Sequence, residues 1–244
     1  MGEAIAIALA EAGSDVAVAV DKNVTGAEKV AERIRGMGRR AIAVKANVAD
    51  KRDVTRMVER VMEEFGKVDI LVNNAGTNRW MAAEEMTEEL WDFVLGIDLK
   101  GVFLCSQAVG REMIKRKSGN IINISSIMGV VAQRMNKQGD AVPQVHYHSS
   151  KGGVIMFTRA LALEWVKHNV RVNCISPGWF LTPIVEDFFR THEEVYEADV
   201  LDRTPMKRPG KPVELGPVVV FLASDASSYM TGQNIIVDGG YTIW

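Results

Sequence analysis

Six short apolar, β-branched runs recur along the 244 residues, with a stretch of helical period between successive runs. This alternation constrains the fold more than any other feature. The runs are Val16–Val20, Ala41–Lys45, Ile70–Asn73, Asn120–Ser125, Arg171–Ile175 and Asn234–Val237. Each is near-continuously apolar, as strands buried on both faces of a parallel sheet must be. The intervening periodicity predicts helices at about Ala4–Glu11, Thr25–Gly36, Arg52–Phe65, Thr87–Lys115, Tyr147–Lys167 and Val213–Leu222. Strand and helix in strict alternation predict a doubly wound parallel α/β sheet, a single domain over residues 1–244. Such folds normally open with a strand and a glycine-rich turn. This chain opens inside a helix that ends at Gly13, so the usual first strand is absent and Val16–Val20 reads as the usual second.

Composition narrows the partners. With 47% hydrophobic and 25% charged residues the chain can bury a sizeable core. A net charge of −2 supplies no basic field for nucleic acid or acidic lipid. Apolar runs such as Ala4–Ala10 fall short of the ~18 residues that span a bilayer, so no transmembrane helix is expected. Met1-Gly2-Glu3 carries no basic leader signature, and Cys105 and Cys174 are too few and too far apart for a disulfide framework or metal site, which fits a reducing cytoplasm. His146, His148, His168 and His192 lack ligand spacing and read as surface or loop residues, so no metal is expected. Two loops are long for this class, Ile127–His146 and Gly178–Lys211.

Tyr147 and Lys151 stand four apart at the start of a predicted helix, so their side chains share a face. A tyrosine hydroxyl ordinarily ionises near pH ~10, and moving that by three units needs about 4 kcal/mol of preference for the phenolate. A lysine charge about 4 Å away supplies roughly 1 kcal/mol in water and about 4 at an effective dielectric near 20. The pair therefore needs a partly closed site. Asn73-Asn74-Ala75-Gly76, Asn120 to Ser126, and Asn173 to Gly178 end three successive strands in polar residues at the carboxyl edge, where such sheets bind ligands.

These motifs together resemble the short-chain dehydrogenase/reductase family, over nearly the whole chain from Gly2 to Asp238-Gly239-Gly240. The resemblance implies a Rossmann-like fold and hydride transfer to or from a nicotinamide cofactor. It assigns catalysis to Ser126, Tyr147, Lys151 and the Asp98 position. Cofactor contacts are implied at Gly2, Asp21, Asn47, Val48, Asn74, Ala75, Gly76, Tyr147, Lys151, Pro177, Gly178 and Thr182. Four departures accompany it. Of the family's Thr-Gly-x-x-x-Gly-x-Gly turn only the last glycine, Gly2, remains, and with the first strand go most of the amides that receive the pyrophosphate; a misassigned start codon or a clipped chain is expected. Asp98 replaces the usual Asn, and its charge offsets part of the Lys151 effect on Tyr147 if the two are close. Asn47 replaces an Asp whose hydrogen bond an amide oxygen can also accept. Ser126 and Tyr147 are farther apart than usual, which places inserted residues in the loop beside the reacting carbon.

Asp21 lies near the spacing of the acidic residue that binds the ribose 2′-hydroxyl, and it favours NAD over NADP. Among family members the chain looks most like gluconate 5-dehydrogenases and sugar-alcohol dehydrogenases, through Asn78-Arg79 and Pro177-Gly178-Trp179. A sugar acid or polyol is the expected substrate, with Arg79, Arg134 and Trp179 as candidate contacts and Gln133, Asn136, Lys137 and Gln138 adding polar groups from the inserted loop. Trp80, Phe188 and Phe189 are further candidates for lining the pocket. Two rival readings stay open: a 3-oxoacyl carrier-protein reductase, suggested by the basic helix end Arg111, Lys115, Arg116 and Lys117, and a non-catalytic oligomeric scaffold. The resemblance also implies a homotetramer, built from the two longest helices with Val154, Phe157, Leu161 and Trp165, and from the last strand.

Overall fold

The computed structural model describes residues 1–133, 142–191, 193 and 196–244, apart from the side chains at 184, 188, 191, 198 and 199. Arg134, Asn136, Lys137, Gln138 and His192 therefore lie outside the described residues, as does the Phe188 side chain. The elements run α1 (Gly2–Glu11), β1 (Val16–Val20), α2 (Val24–Gly36), β2 (Ala41–Lys45), α3 (Lys51–Phe65), β3 (Ile70–Asn73), α4 (Glu88–Leu95) and α5 (Gly101–Arg116). They continue with β4 (Gly119–Ile124), α6 (Val145–Trp165), β5 (Val170–Pro177), α7 (Pro183–Thr191), α8 (Gly216–Ala223) and β6 (Asn234–Val237).

Local chemistry sets the helix boundaries. Asn23, Asp50 and Thr87 cap α2, α3 and α4, their side-chain oxygens accepting from Gly26, from Arg52 and Asp53, and from Leu90. Gly66 ends α3 in the left-handed region, with φ 75°. The segment 178–211, expected as a loop, contains α7 and a π-helical turn at Tyr196–Leu201. The helix expected to run unbroken from Thr87 to Lys115 widens into a π-turn at Gly96–Lys100 between α4 and α5.

All strand pairings are parallel. β3-β4-β5-β6 form one sheet and β1-β2 another, with Ile70 opposite Asn120, Asn120 opposite Arg171, and Val16 opposite Ala41. Side chains of β4 alternate between two helical layers. Ile122 and Ile124 pack on Ile5 and Leu9 of α1 and Val219 and Leu222 of α8. Ile121 packs on Val109 and Met113 of α5 and Leu161 of α6. This is the doubly wound arrangement. The sheet is nevertheless divided, because β1 and β3 do not pair. Between them lies a cavity of about 800 Å³ lined by both strands, by Ile5 and Leu9 of α1 and by Met57 of α3. Burial records the division: most of β4 and β5 is buried, whereas β1 has no buried residue and β3 only Asn73.

One expectation about membranes is corrected. The continuous helical stretch Glu88–Arg116, 29 residues containing an 18-residue window of mean hydropathy 1.4, is long and apolar enough to span a bilayer by length and composition. Half of that window is buried inside the fold, where Val102, Leu104, Val109 and Met113 pack inward, so it serves as a core helix.

Candidate active site

The carboxyl ends of β3, β4 and β5 open toward the start of α6, and a buried amide network fixes them there. Asn73 Nδ2 donates to Ser106 Oγ at 3.0 Å and to Asn123 Oδ1 at 2.8 Å. Asn123 Nδ2 donates to Thr158 Oγ1 at 2.9 Å. The network ties two strands to α5 and α6 with both amide donors satisfied, as burial requires. Sequence reading placed Asn73 and Asn123 only as polar strand ends. Their pairing depends on the β3–β4 register, which sets them opposite one another.

Ser126 and Ser125 leave the end of β4 in different directions. Ser126 is buried, and its Oγ accepts the Met128 N–H at 3.1 Å, opening the short turn Ile127–Gly129. Its own hydroxyl hydrogen remains available to a bound oxygen. Ser125, which sequence reading did not single out, donates to the Lys151 carbonyl at 2.7 Å and so anchors α6. Gly129 lies so close that a Cβ there would stand 2.6 Å from the Lys151 carbonyl carbon, which excludes a side chain.

Tyr147 and Lys151 share a face of α6 as their spacing predicts, with Lys151 Nζ 5.5 Å from the Tyr147 ring centroid. Lys151 is buried and donates to the Ile124 carbonyl at 3.3 Å. Its nearest charge is Asp98, delivered by the π-turn and fully buried; Oδ2 lies 3.2 Å from Nζ without an aligned hydrogen bond, while Oδ1 accepts the Thr77 N–H at 2.7 Å. Burial raises the Asp98 carboxyl above the ordinary range, against the pull of Lys151 and Thr77. Burial pulls the Lys151 ammonium down, but Tyr147 and Asp98 outweigh it and leave it above its ordinary value. Cys174 approaches from β5, its thiol pushed up to about 11 chiefly by burial. His146, expected at the surface, is fully buried beside this group, with both ring nitrogens lacking a hydrogen-bond partner. Burial lowers its pKa, so the ring is neutral near pH 7.

The remaining candidates divide between the site's rim and its cofactor side. Asn74 packs its amide against Gly2 at the start of α1, where a Cβ would meet Nδ2 at 2.8 Å, and its buried Oδ1 lacks a partner. Ala75 and Gly76 are exposed, with Gly76 facing Lys151 Nζ and Asp98. Asn47 Oδ1 accepts from Ala49 at 3.0 Å, and Val48 packs against Gly101. Asp21 is exposed beyond β1. Pro177 ends β5, and Gly178 passes so close to Asp238 that a Cβ would lie 2.7 Å from its Cα. Thr182 Oγ1 accepts from Val185 at 3.4 Å at the start of α7. These groups fit the nicotinamide cofactor that the resemblance implies: an orphaned amide oxygen, bare backbone at Gly76 and a helix N-terminus line one edge.

On the other side, Trp179 stacks 5.5 Å from Phe189 and packs with Ile127, Met128 and Tyr147, whereas exposed Arg79 lies over Phe93, 5.8 Å from its ring centroid. Exposed Trp80 follows Arg79 in the same turn. Gln144, which was not among the expected residues, joins Asn78 of the turn after β3 to Gln133 of the inserted loop. Asn78 Nδ2 donates to Gln144 Oε1 at 2.6 Å, and Gln144 Nε2 donates to Gln133 Oε1 at 2.7 Å. Their spacing along the chain carries no pattern that could have revealed this contact.

A family model described as enoyl-(acyl carrier protein) reductase matches residues 1–242. The 2-dehydro-3-deoxy-D-gluconate 5-dehydrogenase of Dickeya dadantii is 40% identical over 242 residues, covering 99% of this chain and 90% of that protein. A 3-oxoacyl-[acyl-carrier-protein] reductase of Staphylococcus epidermidis is 39% identical over 240 residues, 98% of this chain and 93% of that one. The crystal structure of a gluconate 5-dehydrogenase from Burkholderia cenocepacia in complex with NADP and tartrate superposes with a TM-score of 0.89 at 32% identity, covering 99% and 90% of the two chains.

Proposed function

We propose, from the premise that this chain belongs to the short-chain dehydrogenase/reductase family of oxidoreductases acting on CH–OH groups, that its substrate is a sugar acid or polyol. The chemistry rests on one observation: Lys151 Nζ is buried within 5.5 Å of the Tyr147 ring, beside the strand end that carries Ser126. In this reading the Tyr147 hydroxyl exchanges the substrate's proton. The Lys151 charge favours the phenolate, and the Ser126 hydroxyl holds the reacting oxygen. When bound, the nicotinamide cofactor carries the hydride.

Gly2, Asp21, Asn47, Val48, Asn74, Ala75 and Gly76 would hold its adenosine and phosphate side. Tyr147 and Lys151 would hold the nicotinamide ribose, and Pro177, Gly178 and Thr182 the nicotinamide. Exposed Asp21 favours NAD by repelling a 2′-phosphate. NADP is the second reading, because a gluconate 5-dehydrogenase of similar fold was solved with it and Lys22 adjoins Asp21.

The sugar-acid reading is supported by the Dickeya relative and by the polar rim of Asn78, Gln144 and Gln133. The carrier-protein reductase reading draws on the Staphylococcus relative. Within the proposed carrier-docking end, however, Arg116 is spent on the Val68 carbonyl at 2.6 Å and Lys115 on Glu112 at 2.7 Å. A homotetramer in a reducing cytoplasm completes the proposal, with buried Cys105 and Cys174 kept as thiols. Steady-state kinetics with gluconate, 2-dehydro-3-deoxygluconate, sorbitol and an acetoacetyl thioester, each with both cofactor pairs, tests it. The highest kcat/KM is expected for a sugar acid with NAD or NADH, and preference for the thioester overturns the substrate assignment.

A further inference from the structure

Arg79 is a cation at the rim of the site, and among the described residues no carboxylate pairs with it. Its guanidinium lies over the Phe93 ring, 5.8 Å from the centroid, and Nη1 donates to the Asn78 carbonyl at 2.7 Å, which leaves most of its donors for a ligand. A chain of amides leads from it to the start of α6, and the direction of that chain is fixed at one end. The Arg79 N–H can only donate, so Asn78 Oδ1, which accepts it at 2.8 Å, faces Arg79. Asn78 Nδ2 therefore faces away and donates to Gln144 Oε1 at 2.6 Å, which in turn aims Gln144 Nε2 at Gln133 Oε1, 2.7 Å away. Gln144 is buried, and its main chain opens the helix that carries Tyr147. Its carbonyl accepts the Tyr147 N–H at 3.0 Å and the His148 N–H at 3.2 Å, with His148 Nδ1 3.1 Å from the same oxygen. A second tie runs alongside, the Met81 N–H donating to the Pro143 carbonyl at 3.0 Å. Gln144 thus grips the turn bearing Arg79 with its side chain and the turn bearing Tyr147 with its main chain.

We propose that Gln144 is a positioning residue that fixes the spacing between Arg79 and Tyr147, so that a substrate with its hydroxyl at Tyr147 places a terminal carboxylate on Arg79. Gln144 thereby sets a preference for a sugar acid over a neutral polyol. This rests on the dehydrogenase reading given above and narrows its substrate.

Gln144 itself has no group to spare for the substrate, since its amide oxygen and amide nitrogen are each engaged by a neighbouring amide. Its effect passes through Arg79. A guanidinium–carboxylate contact is charge-assisted and demanding in geometry, so its strength depends on where the guanidinium is held. A neutral polyol offers no charge to that contact. Removing the Gln144 amide leaves Asn78 Nδ2 and Gln133 Oε1 without this partner and frees the Asn78 side chain to turn away from the Arg79 N–H. Arg79 then keeps its charge and loses its fixed distance from the reacting hydroxyl. A residue that only supported the fold would weaken both kinds of substrate alike.

The test compares gluconate with sorbitol, which differ in the carboxylate at one end. Steady-state kcat/KM for each gives an acid-over-polyol ratio. Gln144→Met, which keeps the side chain's length without its amide, is expected to lower that ratio on the order of tenfold, mostly through a higher KM for gluconate. Arg79→Met should lower it at least as far, and adding Gln144→Met to Arg79→Met should change it no further, because the two act through one contact. Should Gln144→Met not fold, Asn78→Ala cuts the same link from its half-buried end and is read in the same way. An unchanged ratio in Gln144→Met or in Arg79→Met overturns the proposal, even where both substrates turn over more slowly, and so does a fall in the double variant equal to the sum of the two single ones. Calorimetric titration with gluconate and sorbitol in the presence of NADH reads the same ratio from dissociation constants without turnover. A protein that binds gluconate over sorbitol and oxidises neither loses the dehydrogenase reading and keeps the inference. One that oxidises sorbitol as well as gluconate or better keeps the dehydrogenase reading and loses the inference.

Discussion

At the scale of single residues, the site depends on groups that neutralise or satisfy one another out of water. Tyr147 is only half-buried, with its ring against Ile127 and Met128, so its hydroxyl can reach both a ligand and the Lys151 field. Replacing Tyr147 with Phe keeps that packing and removes the hydroxyl with its exchangeable proton. The expected outcome is a loss of kcat of at least ~10²-fold with cofactor affinity nearly unchanged, checked by steady-state kinetics and NADH fluorescence titration. Near-normal turnover in Tyr147→Phe would remove it from the chemistry. The sequence placed Tyr147 and Lys151 on one helix face and Ser126 at a strand end, because a fixed spacing on one helix and a polar strand end are local properties. It did not identify His146 as buried, nor Ser125 as the anchor of α6. Both depend on which element packs against which.

At the scale of elements, two features carry predictions. Glu214 accepts the Lys211 N–H at 2.7 Å and two Arg208 contacts at 2.7 and 2.8 Å at the approach to α8, and the Arg208 hydrogen bonds lower its carboxyl to about 2. A carboxyl lowered on folding contributes stability that is present above its unfolded value and lost as pH falls through the folded one. The difference in Tm between wild type and Glu214→Gln should therefore be steady above about pH 5 and shrink toward pH 2, small throughout because the group is exposed, and smaller still in high salt. A difference that grows on acidification would contradict the assignment.

The second feature is the cavity between β1 and β3. Their facing edges leave backbone groups without strand partners, each costing about 1–3 kcal/mol where water cannot reach it. A third parallel strand in the cavity would pair with both. Adding a five-residue apolar strand with a short turn ahead of Met1 should raise Tm and tighten NADH binding, as differential scanning fluorimetry and fluorescence titration would show. Equal values for the two chains would mean the divided sheet needs no such strand. The alternative, in which β1 closes directly onto β3, is not the structure observed.

At the scale of the whole molecule, the outer faces of α5 and α6 remain apolar. Phe103, Met156, Leu163 and Val166 are exposed, Leu163 at 80%, and a shallow groove runs between Phe103, Phe157 and Trp165. Two of the residues expected to serve assembly instead face inward: Val154 packs on Val102 and Cys174, and Leu161 on Ile121. If the α5–α6 face forms the tetramer contact, sedimentation at micromolar concentration should show a tetramer, and Leu163→Lys combined with Met156→Lys should shift it to smaller species. A monomeric wild type would overturn this reading.

The alternation of strands and helices and the Tyr147–Lys151 pair were legible from the sequence because each depends on periodicity or spacing within a few turns of chain. Even the slot was foreseeable, since removing the expected first strand separates its neighbours. The helix wide enough to admit Asp98, the ion pair it makes with Lys151, the Asn73–Asn123 bridge and the Asn78–Gln144–Gln133 chain were decided only by tertiary structure. Each joins residues more than ten positions apart, most of them far more, through register and packing. Burial then turned ordinary polar side chains into partners, because leaving such groups unpaired in a low-dielectric interior costs far more than it does in water.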